Sequence, residues 1–189
     1  EVKSPLSLIL SAFVSIDNVD KYVTPYTNKD SQLFLVDLGR GKDRMGGSGL
    51  DQTLSYTNHK SPNINNLDDL LNYYKFTQEL VRKNLLNAYH DRSDGGLITT
   101  LMEMAFVSNM SVDLNNVPKK SKIELIRFLF NEELGGVFAI DKKCQKEFIK
   151  LTQKYNLEAI THDIGEISKK DKPIFKISSC KYSEPISKL

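Results

Sequence analysis

The stretch that most restricts the fold is Gln32 to Leu38, QLFLVDL. Apolar residues stand at successive positions, so an extended segment here puts apolar side chains on both faces. Such a strand belongs in the middle of a sheet covered on both sides. Strands are also expected at Ser7–Ser15 (SLILSAFVS, read as buried), SVDL after residue 110, Gly136–Ile140, Ala159–Ile167 and Ile174–Ser178. Helical periodicity separates them. A short helix is expected from Ser48 to Tyr56 and a long one from Leu67 to Leu86, with Leu67, Leu70, Leu71, Tyr74, Val81 and Leu85 as its apolar stripe. Helices are also expected from Gly95 and Gly96 to Ser108 (Leu97, Leu101, Met104 and Ala105 inward), over Lys122–Phe130, and over Lys143–Tyr155 with Cys144, Phe148, Leu151 and Tyr155 inward. This alternation predicts an α/β fold, α+β-like, with a mixed sheet covered by helices. The 189 residues suit one domain, 1–189.

Composition narrows the function classes. A net charge of +2, with lysines and arginines interleaved among acids, gives no basic surface for nucleic acid. No apolar run can span a bilayer and no signal peptide is present, so no membrane partner is expected. The cysteines, Cys144 and Cys180, have no metal-like spacing and read as free thiols in a reducing cytosol, hence a cytoplasmic protein. The first ten residues run almost directly into a strand pattern, and the last ten, CKYSEPISKL, are neither cap nor tail. Both ends suggest a piece of a longer protein.

Three polar constellations could carry chemistry. The first, DLGRGKDRMGGSGL, follows a strand and precedes a helix, and Gly39–Gly49 holds five glycines. Glycines let backbone N–H groups approach an anion, and a helix start favours it. Standard nucleotide loops do not match: Gly47 stands where the phosphate loop needs lysine, and Arg44 replaces the third glycine of the dinucleotide fingerprint. Anion contact is still favoured over a plain connector.

The second is His90–Asp94 followed by Gly95 and Gly96, HDRSDGG. A carboxylate here can ligate Mg²⁺, and a neighbouring hydroxyl can meet phosphate. Taken singly, each residue has a simpler role: Asp94 or Ser93 as a helix cap, His90 as a core histidine, Arg92 and Asp94 as surface charges. The third is LFNEELGGVFAI, where the adjacent Glu132 and Glu133 read as a polar turn rather than an acid–base pair. His59 and His162 stand alone and receive no role.

With SPLSLILSAF, these motifs in this order resemble the last synthase lobe of phosphoribosylformylglycinamidine synthase, in its large single-chain form. The resemblance covers nearly the whole chain. It implies the C-terminal-domain fold of the aminoimidazole ribonucleotide synthetase type. It also implies part of a carbon–nitrogen ligase of purine biosynthesis. That enzyme converts formylglycinamide ribonucleotide, ATP and glutamine to formylglycinamidine ribonucleotide, ADP, phosphate and glutamate. The implied cofactors are ATP or ADP and Mg²⁺. Asp91 is the implied Mg²⁺ ligand and Ser93 the nucleotide-phosphate contact, with a phosphate contact at Gly46 and Gly47. No catalytic residue carries over. The implied partners are other synthase lobes and a glutaminase domain of the same chain, and small-molecule substrates. The lobe alone is expected to be inactive. An alternative is a structural scaffold whose bound nucleotide is not turned over.

Overall fold

The computed structural model describes residues 10–19, 22–56, 58–117 and 121–189. The elements in chain order are β1 (Ser31–Asp37), α1 (Gly49–Thr53), α2 (Leu67–Arg82), β2 (Leu86–Asp91), α3 (Gly96–Ser108), β3 (Ser111–Leu114), α4 (Lys122–Phe130), β4 (Gly135–Ile140), α5 (Gln145–Lys154), β5 (Thr161–Ser168), β6 (Ile174–Ile177) and β7 (Tyr182–Pro185). The strands form one sheet in the order β2-β4-β1-β5-β3-β6-β7. All neighbours are antiparallel except β3 and β6, which run parallel. The sheet is therefore mixed, as expected.

The two-faced strand does what its sequence demands. On β1, Leu33 and Leu35 join a core with Leu97, Leu101 and Met104 of α3 and Leu125, Phe128 and Leu129 of α4. Phe34 and Val36 join a second core with Phe76 and Leu80 of α2 and Phe148 and Leu151 of α5. The second core is aromatic: Phe76 meets Phe138 edge-on at 5.5 Å between centroids and Phe148 at 5.4 Å. Such contacts add to plain area burial. Helix α4 begins with a capping box in which Ser121 and Glu124 satisfy each other's backbone N–H.

Three expectations need correction. Helix α2 ends at Arg82, not Leu86, because Asn84 turns left-handed at φ 53°, and residues 86–91 form a strand instead. The stripe of α2 is also rotated: Phe76 and Leu80 are buried, whereas Leu67, Leu71 and Tyr74 are exposed. Alternate phasings of an apolar-rich helix differ little in sequence, and the aromatic core selects the one that inserts Phe76. Of the strand expected at Ser7–Ser15, residues 7–9 lie outside the described set, and residues 10–15 are exposed and carry no strand. The C-terminal stretch supplies β7, paired antiparallel to β6.

Candidate functional site

The three polar constellations come together at one end of the sheet. Strand β1 ends on Asp37, only 2% exposed, which receives the backbone N–H groups of Gly39 and Gly41 at 3.1 and 2.7 Å. Just past the end of β2, Arg92 runs inward. Its Nη2 donates to Asp37 Oδ1 at 2.6 Å and its Nε to the Glu133 carbonyl at 2.5 Å. Arg92 is thus no surface charge but a fully buried pin across three segments. Its Nη1 is buried with no partner among the described residues.

The glutamates of the third constellation face the other two. Glu133, 1% exposed, accepts from Arg44 Nε at 2.5 Å and Nη2 at 2.6 Å, and that bond raises the Arg44 pKa. Glu132 Oε1 accepts the Gly49 N–H at 2.8 Å and the Gly95 N–H at 2.9 Å. Gly49 opens α1 and Gly95 is the N-cap of α3. A carboxylate at two helix starts is favourable, so the anion at these starts is the protein's own. The glycine-rich loop tells the same story. The N–H groups of Gly39 and Gly41 go to Asp37, that of Gly46 to the Lys60 carbonyl at 2.9 Å, and that of Gly49 to Glu132. The favoured anion contact is therefore met internally at these positions. Gly46 is a buried packing residue in this structure; Gly47 is exposed.

The expected caps are also absent. Neither Ser93 nor Asp94 caps α3, which has no side-chain cap. Instead Gly96, at φ +76°, turns the chain back so that its N–H reaches the Ser93 carbonyl at 2.9 Å. A Cβ on Gly96 would meet the Asn131 carbonyl oxygen at 2.7 Å, so only glycine fits. His90 is not held by backbone: it pairs with Glu103 at 2.6 Å.

What this framework leaves facing solvent is Asp91, Ser93 and Asp94. Asp91 is oriented from behind by a chain of hydroxyls. Tyr89 donates to Asp91 Oδ1, so Tyr73 donates to Tyr89, with the two hydroxyl oxygens 2.7 Å apart. Burial is the main cause that pushes both tyrosine pKa values upward and keeps the hydroxyls neutral. A Cβ on Gly136 would lie 2.5 Å from the Tyr73 hydroxyl, so the second glycine of LGG makes room for this pair. Among the described residues no three His, Cys, Asp or Glu side chains gather to hold a metal. Mg²⁺ commonly takes one or two carboxylates and completes its shell with water and phosphate oxygens. The exposed Asp91 carboxylate is the kind of oxygen donor such a shell uses.

Sequence reasoning missed Asp37, Tyr73, Tyr89 and the pairing of His59 with Asp51, which bond at 2.8 Å. A lone carboxylate at the end of an apolar strand was the available sign for Asp37. The others need tertiary contact to be seen.

Residues 35–178 match the family described as AIR synthase related protein, C-terminal domain. The chain belongs to this family. Solved structures share its fold. Thermotoga maritima PurL complexed with ATP superposes with a TM-score of 0.64 at 14% identity, over 89% of this chain and 27% of that one. PurL from the same organism complexed with FGAR gives 0.62 at 14% identity, over 89% and 29%. Thiamine-monophosphate kinase from Stenotrophomonas maltophilia K279a gives 0.52 at 14%, over 83% and 53%. The chain thus spans little more than a quarter of the PurL chains it matches. No described helix is long and apolar enough to cross a membrane.

Proposed function

We propose that this chain is a synthase lobe of a phosphoribosylformylglycinamidine synthase. In that role it supplies one side of a Mg²⁺–nucleotide site, and a neighbouring lobe of the same polypeptide supplies the rest. The observation that carries this reading is the exposed pair Asp91 and Ser93, presented beside the buried Arg44–Glu133 and Arg92–Asp37 pairs. Similarity in fold to PurL structures complexed with ATP, ADP and FGAR supports it.

In this role the lobe's own residues bind and orient. Asp91 Oδ1 is held by Tyr89, which leaves Oδ2 for the metal. Ser93 offers a hydroxyl to a phosphate oxygen, and the exposed Gly47 lies on the glycine-rich loop that Glu132 ties to the Ser93 loop. Bound Mg²⁺ would offset phosphate charge. The glutamates shape the site and do no proton transfer, since Glu133 is committed to Arg44 and Glu132 to two backbone N–H groups. The complete enzyme is a glutamine-dependent ligase acting in the cytoplasm, and the lobe alone has no synthase activity.

A scaffold reading has one observation in its favour: the described residues provide a carboxylate and a hydroxyl at the site but no complete metal-holding set. In it, the nucleotide holds lobes together and is not turned over. Asp91→Ala in the complete polypeptide separates the two. A fall in turnover of about a hundredfold or more, on the scale of lost transition-state electrostatics, with an unchanged melting temperature supports a catalytic nucleotide. Lost nucleotide content and a lowered melting temperature, with turnover per folded molecule preserved, supports the scaffold.

A further inference from the structure

A two-part cleft whose lining does not include Asp91 lies between the glycine-rich loop, α1, the segment that follows it and α4. One hollow, about 200 Å³, is lined by Lys42, Arg44, His59, Lys60 and Arg127, with Asp43. The adjoining hollow, about 280 Å³, is lined by Leu50, Leu54, Tyr56, Ile123 and Ile126, with Asp51. Met45, His59 and Arg127 line both, so the two form one trough with a cationic end and an apolar end.

The cationic end keeps a net positive charge, because Asp43 is one carboxylate facing Lys42, Lys60 and Arg127. Arg44 is paired with Glu133, and Asp43 accepts from Asn131. Among the described residues Lys42 bonds the neutral Asn65, and no carboxylate pairs with Lys60 or Arg127. Like charges converging on a concavity repel one another and attract a compact anion.

The junction is built rather than incidental. Asp51, 3% exposed, holds His59 Nδ1 with both carboxylate oxygens, at 2.9 and 2.8 Å. That arrangement puts the proton on Nδ1 and fixes the ring. The segment carrying His59 and Lys60 is tied down by the bond from Gly46 N–H to the Lys60 carbonyl. The Tyr56 ring lies 5.5 Å from the His59 ring and lines the apolar half.

We propose that this trough is a second small-molecule site, for a phosphomonoester carrying a flat apolar or aromatic body. Arg127, Lys60 and Lys42 receive the phosphate. His59, set by Asp51, stands at the junction. Tyr56, Leu54 and Ile126 cover the body. The proposal does not rest on the Asp91 reading, because it uses different residues and needs no metal.

The test is calorimetric titration of the 189-residue chain with phenyl phosphate, inorganic phosphate and phenol in buffer containing EDTA. Removing divalent metal keeps Asp91 from contributing. Phenyl phosphate is expected to bind at least about tenfold more tightly than either half alone, since both ends contribute. Arg127→Ala is expected to weaken phenyl phosphate about tenfold, and Ile126→Ser to weaken phenyl phosphate while leaving inorganic phosphate unchanged. Both side chains are exposed on α4, so both variants should fold. Asp91→Ala is expected to bind phenyl phosphate as the parent does. Equal binding of phenyl phosphate and inorganic phosphate, or an Arg127→Ala chain that binds as the parent does, overturns the proposal. A loss on Asp91→Ala overturns it too, by placing the anion at the other site.

Discussion

Arg92 carries a large electrostatic stake for a single residue. Its guanidinium and the Asp37 carboxylate are both removed from water, at 0% and 3% side-chain exposure. A buried pair adds little over an apolar replacement of both partners, but removing one partner strands the other charge. Arg92→Met should therefore cost about 3–5 kcal/mol in urea unfolding, against little change for a surface arginine such as Arg82. Tyr73 makes a second residue-scale point through pH. Burial chiefly raises its pKa in the folded state, and the nearby Asp91 charge adds to this. Below about pH 10 it is neutral in both states. Above that, the unfolded chain loses the proton while the folded one keeps it, so stability falls as pH rises. Urea midpoints at pH 8 and about pH 10.5 should separate by less in Tyr73→Phe than in the parent.

At the scale of elements, the junction of β2, β4 and α2 is set by a glycine. Tyr89 of β2 packs 4.9 Å from Phe138 of β4, and Tyr73 of α2 reaches over the same strand. Gly136→Ala places a methyl where the Tyr73 hydroxyl lies and should cost about 1–3 kcal/mol by overpacking, measured by chemical denaturation. The same junction shows where sequence ran out. Strand β1 was legible because apolar residues on both faces leave one kind of burial. Helix α3 was legible because paired glycines lead into an apolar stripe, Leu97, Leu101, Met104 and Ala105, all of it buried. Strand β2 was not: LNAYHD has two buried or half-buried faces of mixed polarity and follows a helix without a glycine or proline break. Its extended form is imposed by pairing with β4. The polar motifs were visible as motifs, but their division of labour was not. Whether a carboxylate grips a neighbouring loop or faces solvent depends on partners far along the chain. Glu133 meets Arg44 and Arg92 meets Asp37 across such separations.

For the whole molecule, a seven-stranded sheet with a helical layer on each face places every motif loop at one end. The internal pairings of Arg40 with Asp69, Arg44 with Glu133 and Arg92 with Asp37 neutralise the framework's own charge there. Asp91, Ser93 and Asp94 stay exposed beside that framework. The central claim is that Asp91 anchors a metal-bound nucleotide. It is tested most directly by the affinity of the complete polypeptide for ADP, with and without Mg²⁺, in the parent and in Asp91→Ala. The expected result is Mg²⁺-dependent binding in the parent, weakened at least about tenfold in Asp91→Ala at an unchanged melting temperature. Equal ADP affinity in the two proteins, or parent binding indifferent to Mg²⁺, would contradict it.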